Sequence, residues 1–233
     1  MDEQYLIRDI EIPCVYHDSN FISKSDADDY YETLRTTIPW QKTAKINRWV
    51  RLYQAVDDVD ESTIETTTSD GDEDGSDEGT SGYTYKDAPP VEDDKNKDNN
   101  VIGAGYPELI QSIRQQCQDW YAAANPHCKQ DDNIPSFNIC LLNFYEDGQQ
   151  RIGWHSDREE IGRTTPIISV SLGASRQFLL RSQTDGRNDR CSLNLTSGSV
   201  TVMEPICQIK YLHSVPKESD VVNGRINLTF RCK

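Results

Sequence analysis

Residues Ile152–Asp157 have the sequence IGWHSD and residues Arg225–Arg231 have the sequence RINLTFR, and these two segments determine the architecture. In a β-strand, side chains at positions i and i+2 point to the same face. An extended segment therefore brings His155 and Asp157 to one point, whereas a helix would separate them. The same alternation gives RINLTFR a polar face for a functional cavity and an apolar face that packs on the structure behind it. The polar face comprises Arg225, Asn227, Thr229 and Arg231.

Two imidazoles and one carboxylate are available to a single metal ion if His213 joins His155 and Asp157. This donor set is the facial triad that holds a non-haem Fe(II) and leaves coordination positions open. His-x-Asp pairs also occur on surfaces as ordinary hydrogen bonds, so the surrounding sequence has to decide. The neighbouring segments favour the metal because they have the pattern of strands closed by turns. They are Leu141–Gly148, Pro166–Gly173 and Gly198–Met203.

The chain resembles an AlkB-type 2-oxoglutarate- and Fe(II)-dependent dioxygenase from about Arg51 onward. Five ordered motifs carry the resemblance. They are Asn143-Phe144-Tyr145 with Asp147-Gly148, then Ile152–Asp157, Pro166–Gly173, Tyr211–Pro216 and Arg225–Arg231. The resemblance implies a mostly β protein with flanking helices (α+β). Its core would be a double-stranded β-helix, or jelly roll, with N-terminal helices and a nucleotide-recognition lid.

The resemblance also implies the ligands of the site. The residues implied to bind Fe(II) are His155, Asp157 and His213. The residues implied to bind 2-oxoglutarate are Asn143, Tyr145, Arg225, Asn227 and Arg231. Among them, Arg225 would pair with the distal carboxylate, and Arg231 would steady the carboxylate on the iron. O2 would be the second co-substrate.

The activity implied by the resemblance is oxidative demethylation of N-alkylated nucleobases in DNA or RNA, such as 1-methyladenine and 3-methylcytosine. It would be coupled to decarboxylation of 2-oxoglutarate and would release formaldehyde, succinate and CO2. The base must be single-stranded or flipped out to reach the iron. RNA modification and protein hydroxylation or demethylation are alternatives on the same scaffold. A catalytically silent binding module is a further alternative, against which the complete triad and both arginines argue.

One acidic and one basic residue after the metal motif are candidate substrate contacts. Glu159 is implied to accept a hydrogen bond from an exocyclic amine of the damaged base. Arg158 occupies a position where relatives often carry an acid. It either reaches a phosphate or forms a solvated ion pair with Glu160.

The stretch Trp40–Tyr53 is the most basic part of the chain and is rich in aromatic residues. Cationic groups neutralise phosphates and aromatic rings stack on unpaired bases, so this mixture suits a nucleic-acid lid. An ordinary amphipathic surface strand is the alternative. The place of the stretch in the family pattern favours the lid, with Arg51 and Tyr53 as its substrate contacts.

We expect one structural domain in three parts. They are an N-terminal helix and lid (1–56), an acidic and mostly disordered insertion (57–100), and the catalytic core (101–233). A helix is predicted from about Ser25 to Thr37, capped by Ser25 and Asp28. A second helix is predicted from Pro107 to about Ala124, with Pro107 in its first turn. The apolar stripes are Tyr30, Tyr31, Leu34 and Ile38 in the first helix, and Leu109, Ile110, Ile113, Cys117 and Trp120 in the second.

The formal net charge of the 233 residues is −15, and most of it lies in one segment. From Asp57 to Asp98 there are sixteen Asp and Glu residues against three Lys residues, a net charge of −13. So polar a segment cannot bury enough apolar surface to offset its ordering entropy. Only Tyr83-Thr84-Tyr85 is implied, by its resemblance to the family pattern, to return to the sheet as a short strand. The segment is either an inert solvated loop or a screen that competes with nucleic-acid phosphates for nearby basic residues.

The remaining features suggest where the protein works. Seven cysteines without CxxC spacing, in a chain with no evident secretory leader, favour reduced thiols in an intracellular protein of the nucleus or cytoplasm. No hydrophobic run approaches the length of a membrane span, so a soluble protein is expected. No repeat or heptad implies a partner subunit, so we expect a monomer. His17 and His127 are interpreted as surface histidines without a role.

Deletion of Glu61 to Gly79 should leave the enzyme folded and active while changing how nucleic-acid binding responds to salt. Removing the negative charge should tighten binding at low ionic strength and have little effect at high ionic strength, where screening has already weakened it. Titration of a labelled oligonucleotide across a salt series measures this. Equal affinities of parent and deletion at every salt concentration would identify an inert insertion.

Overall fold

The computed structural model describes residues 1–42, 46–54, 106–125, 134–157 and 164–232. Within them the strands are β1 (Val15–Asp18), β2 (Trp49–Gln54), β3 (Ile139–Tyr145), β4 (Ile152–His155), β5 (Ile167–Gly173), β6 (Arg176–Ser182), β7 (Arg190–Leu195), β8 (Ser199–Met203), β9 (Tyr211–Val215) and β10 (Arg225–Arg231). The helices are α1 (Lys24–Thr37), α2 (Glu108–Ala124), α3 (Pro205–Lys210) and a 3₁₀ turn at Glu3–Tyr5.

The strands form two antiparallel sheets. The larger sheet has the order β1-β8-β5-β10-β3-β2, and the smaller has the order β4-β9-β6-β7. From β3 onward the chain passes repeatedly from one sheet to the other, as in a double-stranded β-helix. The predicted mostly β fold with flanking helices is therefore confirmed.

Strand β10 lies in the larger sheet between β3 and β5 and is paired with both. Its bounds are those predicted from the sequence. Ile226, Leu228 and Phe230 are fully buried in a core that also holds buried residues of α1 and α2. The opposite side chains, beginning with Arg225 and ending with Arg231, line a cavity between the sheets. The predicted division of this strand into two faces is confirmed.

A second apolar cluster fills part of the space between the sheets. Val15, Ile167 and Met203 come from the larger sheet, and they pack with Phe178 and Leu180 of the smaller one. This packing holds the two sheets together on the side of β8 and β6. The cavity therefore lies beside a packed layer and has rigid walls.

Helix α1 begins one residue earlier than predicted, and its cap is a different serine. The Ser23 hydroxyl oxygen accepts a hydrogen bond from the backbone N–H of Asp26 at 3.2 Å. The predicted cap by Ser25 and Asp28 is therefore wrong, because the chain is already helical at Lys24. The predicted stripe is correct: Leu34 and Ile38 are buried, and both tyrosines pack partly buried against the same core.

Helix α2 ends at Ala124 as predicted, but Pro107 is its N-cap residue and does not lie in the first helical turn. Ile110, Ile113 and Cys117 are fully buried, as the stripe predicted. Leu109 and Trp120 are partly buried against the same cluster. Both long helices thus support the larger sheet from behind.

Several predictions fall outside the described residues. They concern the whole of the acidic insertion 57–100, including the strand at Tyr83-Thr84-Tyr85, and His127. Within the described ranges, no helix is long and apolar enough to cross a membrane. The six cysteines that the structure describes are all free thiols.

The two serines near the start of α1 allow a matched test of the cap. Ser23→Ala should lower the free energy of unfolding by about 1 kcal/mol, because it leaves a first-turn N–H without its acceptor. Ser25→Ala should change it by less than about 0.5 kcal/mol, since its exposed hydroxyl caps no backbone group. Urea unfolding measures both. A larger effect at Ser25 would contradict the assignment.

Candidate metal and co-substrate site

A cavity that opens to solvent lies between the two sheets. Strand β10 supplies four polar side chains to its wall, and β3, β4 and β9 supply most of the rest. The lining residues are Arg48, Leu141, Asn143, Tyr145, Ile152, His155, Asp157, Ser169, Phe178, Leu195, Met203, His213, Val215, Arg225, Asn227, Thr229 and Arg231.

Three candidate metal ligands meet in this cavity. His155 at the end of β4 is paired in register with His213 on β9, and their ring centroids are 4.2 Å apart. Nε2 of His155 lies 3.9 Å from Oδ1 of Asp157. The three potential donor atoms all lie within 4.8 Å of one another. Two imidazoles and one carboxylate at this spacing could hold one metal ion with open positions.

Asp157 lies two residues beyond the end of strand β4 at His155. The predicted convergence of the two side chains is observed, but pairing with β9 does not hold Asp157. The backbone N–H of Asp157 instead donates to Oε1 of Gln208 on α3 at 2.9 Å. Nη2 of Arg231 also donates to its Oδ2 at 2.9 Å, which leaves Oδ1 directed toward His155. Two distant segments of the chain therefore orient this carboxylate.

The protonation states suit metal binding. Burial lowers the pKa of both imidazoles, that of His213 to about 3, so both rings are neutral near pH 7. Nδ1 of His155 lies 2.9 Å from the carbonyl oxygen of Gly153. This contact requires a proton on Nδ1, and Nε2 is left as the lone-pair donor. Burial would raise the pKa of Asp157, but the charge of Arg231 and the nearby imidazoles outweigh it and lower the pKa.

Arg225 marks the other end of the site. It is 2% exposed, and its Nη2 donates to the hydroxyl of Ser171 at 2.8 Å. Nε and Nη1 are buried and have no hydrogen-bond partner among the residues that the structure describes. Burial lowers the pKa of Arg225 to about 10, which still leaves it charged at neutral pH. A buried charge of this kind is costly without a counter-ion, so the pocket is suited to a carboxylate.

The remaining predicted co-substrate residues lie in the cavity and already have partners. Oδ1 of Asn143 accepts a hydrogen bond from Nε of Arg48 at 2.7 Å. Nδ2 of Asn227 donates to the Ser169 hydroxyl at 2.7 Å and to a backbone carbonyl of β5. Tyr145 is 2% exposed, and its ring faces the guanidinium of Arg225. These side chains hold one another in place before any ligand binds.

The structure does not bring Arg51 and Tyr53 to the cavity. The register of β2 on β3 pairs Val50 with Asn143, so Val50 lies on the cavity side of the sheet. Arg51 and Tyr53 are one and three residues further along the strand and therefore lie on the opposite side. Tyr53 belongs to the core behind the larger sheet, and the Arg51 guanidinium lies 5.7 Å from its ring. Arg158 and Glu159 lie outside the described residues.

Arg48 and Gln208 are site residues that the sequence analysis missed. Arg48 is 4% exposed and lines the cavity, and Gln208 orients Asp157. The basic stretch Trp40–Tyr53 did indicate a cationic element here. It could not indicate which arginine enters the cavity, because that depends on the register of β2.

The fold and the site together define a class of protein. A jelly roll that presents two histidines and one carboxylate beside a buried arginine is typical of non-haem Fe(II) oxygenases. The family model described as the 2OG-Fe(II) oxygenase superfamily matches residues 15–231. The chain therefore belongs to the 2OG-Fe(II) oxygenase superfamily, whose cofactor and co-substrates are Fe(II), 2-oxoglutarate and O2.

Similar proteins agree with the AlkB resemblance seen in the sequence. DNA oxidative demethylase ALKBH2 of Arabidopsis thaliana is 38% identical over 117 residues, which covers 41% of this chain and 37% of that protein. The alpha-ketoglutarate-dependent dioxygenase alkB homolog 3 of Mus musculus is 34% identical over 110 residues, covering 44% and 38%. The chain thus spans about two fifths of the length of the curated relatives it matches.

Solved structures match over almost the whole chain. The structure of OsALKBH1 has a TM-score of 0.56 at 18% identity and covers 94% of this chain and 98% of its own. A prolyl-4-hydroxylase from Pseudomonas putida has a TM-score of 0.53 at 11% identity, covering 94% and 92%. At these identities the likeness concerns the fold alone.

Asp157→Ala should weaken metal binding by more than about 100-fold, because loss of even an outer partner of a ligand costs about 10–100-fold. Anaerobic calorimetric titration with Fe(II), or with Mn(II) in its place, measures the affinity. The fold should persist, since apolar burial stabilises the sheets. His17→Ala is the control, because His17 lies on β1 and contacts Thr201, outside the cavity. Parent-like metal affinity in Asp157→Ala would contradict the assignment.

Proposed function

We propose that this protein is an AlkB-type demethylase that removes methyl groups from N-methylated bases of DNA or RNA. The observation that carries the proposal is the presence, in one cavity, of three convergent metal ligands and a buried arginine open to a carboxylate. The relatives named DNA oxidative demethylase support the choice of substrate. The products of the proposed reaction are formaldehyde, succinate and CO2.

In this proposal His155, Asp157 and His213 hold the iron. Bound iron, with 2-oxoglutarate and O2, supplies the oxidation of the methyl group. The chain's own contribution is to fix ligand geometry before the metal arrives. Arg231 and Gln208 do so for Asp157, and the carbonyl of Gly153 does so for His155.

The co-substrate would lie between the metal ligands and Arg225. An unpaired N–H of Arg225, on Nε or on Nη1, would donate to the distal carboxylate as a charge-assisted hydrogen bond. The Ser171 hydroxyl holds the third nitrogen and so fixes the plane of the guanidinium. Asn143, Tyr145 and Asn227 would shape the wall around the bound molecule.

The substrate base would enter beside the co-substrate. It would pass into the cavity between the two sheets. A base in a duplex cannot reach its interior, so the substrate would be single-stranded or flipped. Arg48, hydrogen-bonded to Asn143 in the cavity wall, would be a cation available to it. Glu159 and Arg158 are proposed as further contacts from the segment after Asp157. Arg51 and Tyr53 would support β2 from behind.

A panel of short oligonucleotides tests the function. Each would carry 1-methyladenine, 3-methylcytosine or 6-methyladenine, as DNA and as RNA, and formaldehyde release would be measured with Fe(II) and 2-oxoglutarate. We expect release that depends on a methylated oligonucleotide and is absent in Asp157→Ala. Peptides with methylated lysine or with proline form the opposing arm. Turnover that follows the peptide instead would replace a nucleic-acid demethylase with a protein oxygenase.

A further inference from the structure

Arg176, the first residue of β6, is 1% exposed, yet it does not line the cavity. All three of its guanidinium nitrogens have partners. Nε donates to Oε2 of Glu218 at 2.8 Å, and Nη1 donates to the carbonyl of Asp147 at 3.1 Å. Nη2 donates to the carbonyls of Gln150 at 2.8 Å and Pro216 at 2.6 Å. A buried, planar guanidinium whose three nitrogens all donate hydrogen bonds holds its four acceptor oxygens in fixed relative positions.

The partners of Arg176 lie in two loops that are far apart in sequence. Asp147 and Gln150 belong to the loop from β3 to β4, and Pro216 and Glu218 belong to the loop from β9 to β10. The loops also bond directly, since the N–H of Glu218 donates to the carbonyl of Gly148 at 2.8 Å. A Cβ on Gly148 would lie 1.8 Å from the carbonyl oxygen of Glu218. Arg176 therefore stabilises a closely packed junction.

The strands that enter this junction carry the site. Strand β3 reaches it just after Tyr145, and β10 leaves it at Arg225. The Tyr145 ring is near two cations: the centre of the Arg176 guanidinium is 5.5 Å from its centroid, and that of Arg225 is 5.4 Å from it. Such contacts hold the ring and the guanidiniums in a preferred arrangement. The position of Arg225 thus depends on a residue outside the cavity.

We propose that Arg176 is a positioning residue that sets the affinity for the distal carboxylate of the co-substrate, by fixing Tyr145 and Arg225 through the loop junction. The inference rests on the proposed function, in that Arg225 is taken to bind 2-oxoglutarate. The proposed positioning role differs from a direct electrostatic effect of the Arg176 charge on the bound co-substrate. The charge of Arg176 is paired with Glu218, whose Oε2 also accepts the N–H of Gln177 at 3.0 Å.

Two substitutions distinguish the positioning role from a direct electrostatic effect of Arg176 and Glu218 on bound 2-oxoglutarate. Arg176→Lys keeps the positive charge but loses the fork, so a field effect predicts no change and positioning predicts weaker binding. Glu218→Ala removes a negative charge from the neighbourhood of a bound dianion. A field effect therefore predicts tighter binding, whereas positioning again predicts weaker binding. Arg181→Lys is the matched control, because Arg181 lies on the same strand with its guanidinium 4.2 Å from the ring of Trp154.

The experiment is calorimetric titration of the Mn(II)-loaded full chain with 2-oxoglutarate and, separately, with oxalate. Oxalate can chelate the metal but has no distal carboxylate. We expect the Kd for 2-oxoglutarate to rise at least about tenfold in Arg176→Lys and to rise also in Glu218→Ala, the scale of lost charge-assisted hydrogen bonds at Arg225. The Kd for oxalate should stay within about twofold of the parent, because the metal ligands are not displaced. Arg225→Lys should show the same selective loss.

The outcomes discriminate between the two proposals. Parent-like 2-oxoglutarate binding in a folded Arg176→Lys, or tighter binding in Glu218→Ala, would overturn the positioning role alone. Equal losses for oxalate and 2-oxoglutarate would overturn it as well, since they indicate damage to the whole cavity. If Arg176→Lys does not fold, Glu218→Ala decides by the same criteria. A parent chain that binds oxalate but not 2-oxoglutarate would overturn the proposed function and the inference with it.

Discussion

The central strand β10 has to satisfy two incompatible environments along the same seven residues. Ile226, Leu228 and Phe230 have no exposed surface and face the helices, while the alternate side chains face the cavity. A register slip of one residue would place Arg225 in the apolar core and an isoleucine in the cavity. Pairing with β3 on one side and β5 on the other along the strand prevents such a slip. The register of one strand thus determines both the core and the position of the arginines.

Charge burial explains how the cavity is organised. Asp157 and Arg231 form a buried ion pair at 2.9 Å, and Arg225 carries a second buried positive charge. Buried ions are tolerated where other charges or hydrogen bonds compensate them. For Arg231 the compensation comes from the protein, whereas for Arg225 two donors have none in the described part of the chain. The two arginines of β10 therefore differ: Arg231 pairs with a candidate metal ligand, and Arg225 is open to an anion.

Sequence patterns within one segment predicted the strand and the helices whose apolar faces are set by that segment alone. The alternation of RINLTFR set the bounds and faces of β10, and apolar stripes located α1 and α2. Strands β6 and β7 were not predicted, because their outward-facing polar residues leave only short apolar alternation. The motif with His213 was found through a resemblance, since nothing local marks one histidine among four as a candidate ligand.

The features that the sequence did not predict depend on contacts between distant segments. Asp157 is oriented by Gln208 and Arg231, each more than fifty residues away along the chain, so the spacing of His155 and Asp157 could not indicate these partners. The same reasoning applies to the basic stretch before β3. Its composition indicated a surface for nucleic acid, but the register of β2 directs Arg51 away from the cavity. Arg48, just before the strand begins, reaches inward to Asn143 instead. Composition can therefore predict the chemistry of a wall, while only strand pairing determines which side chain provides it.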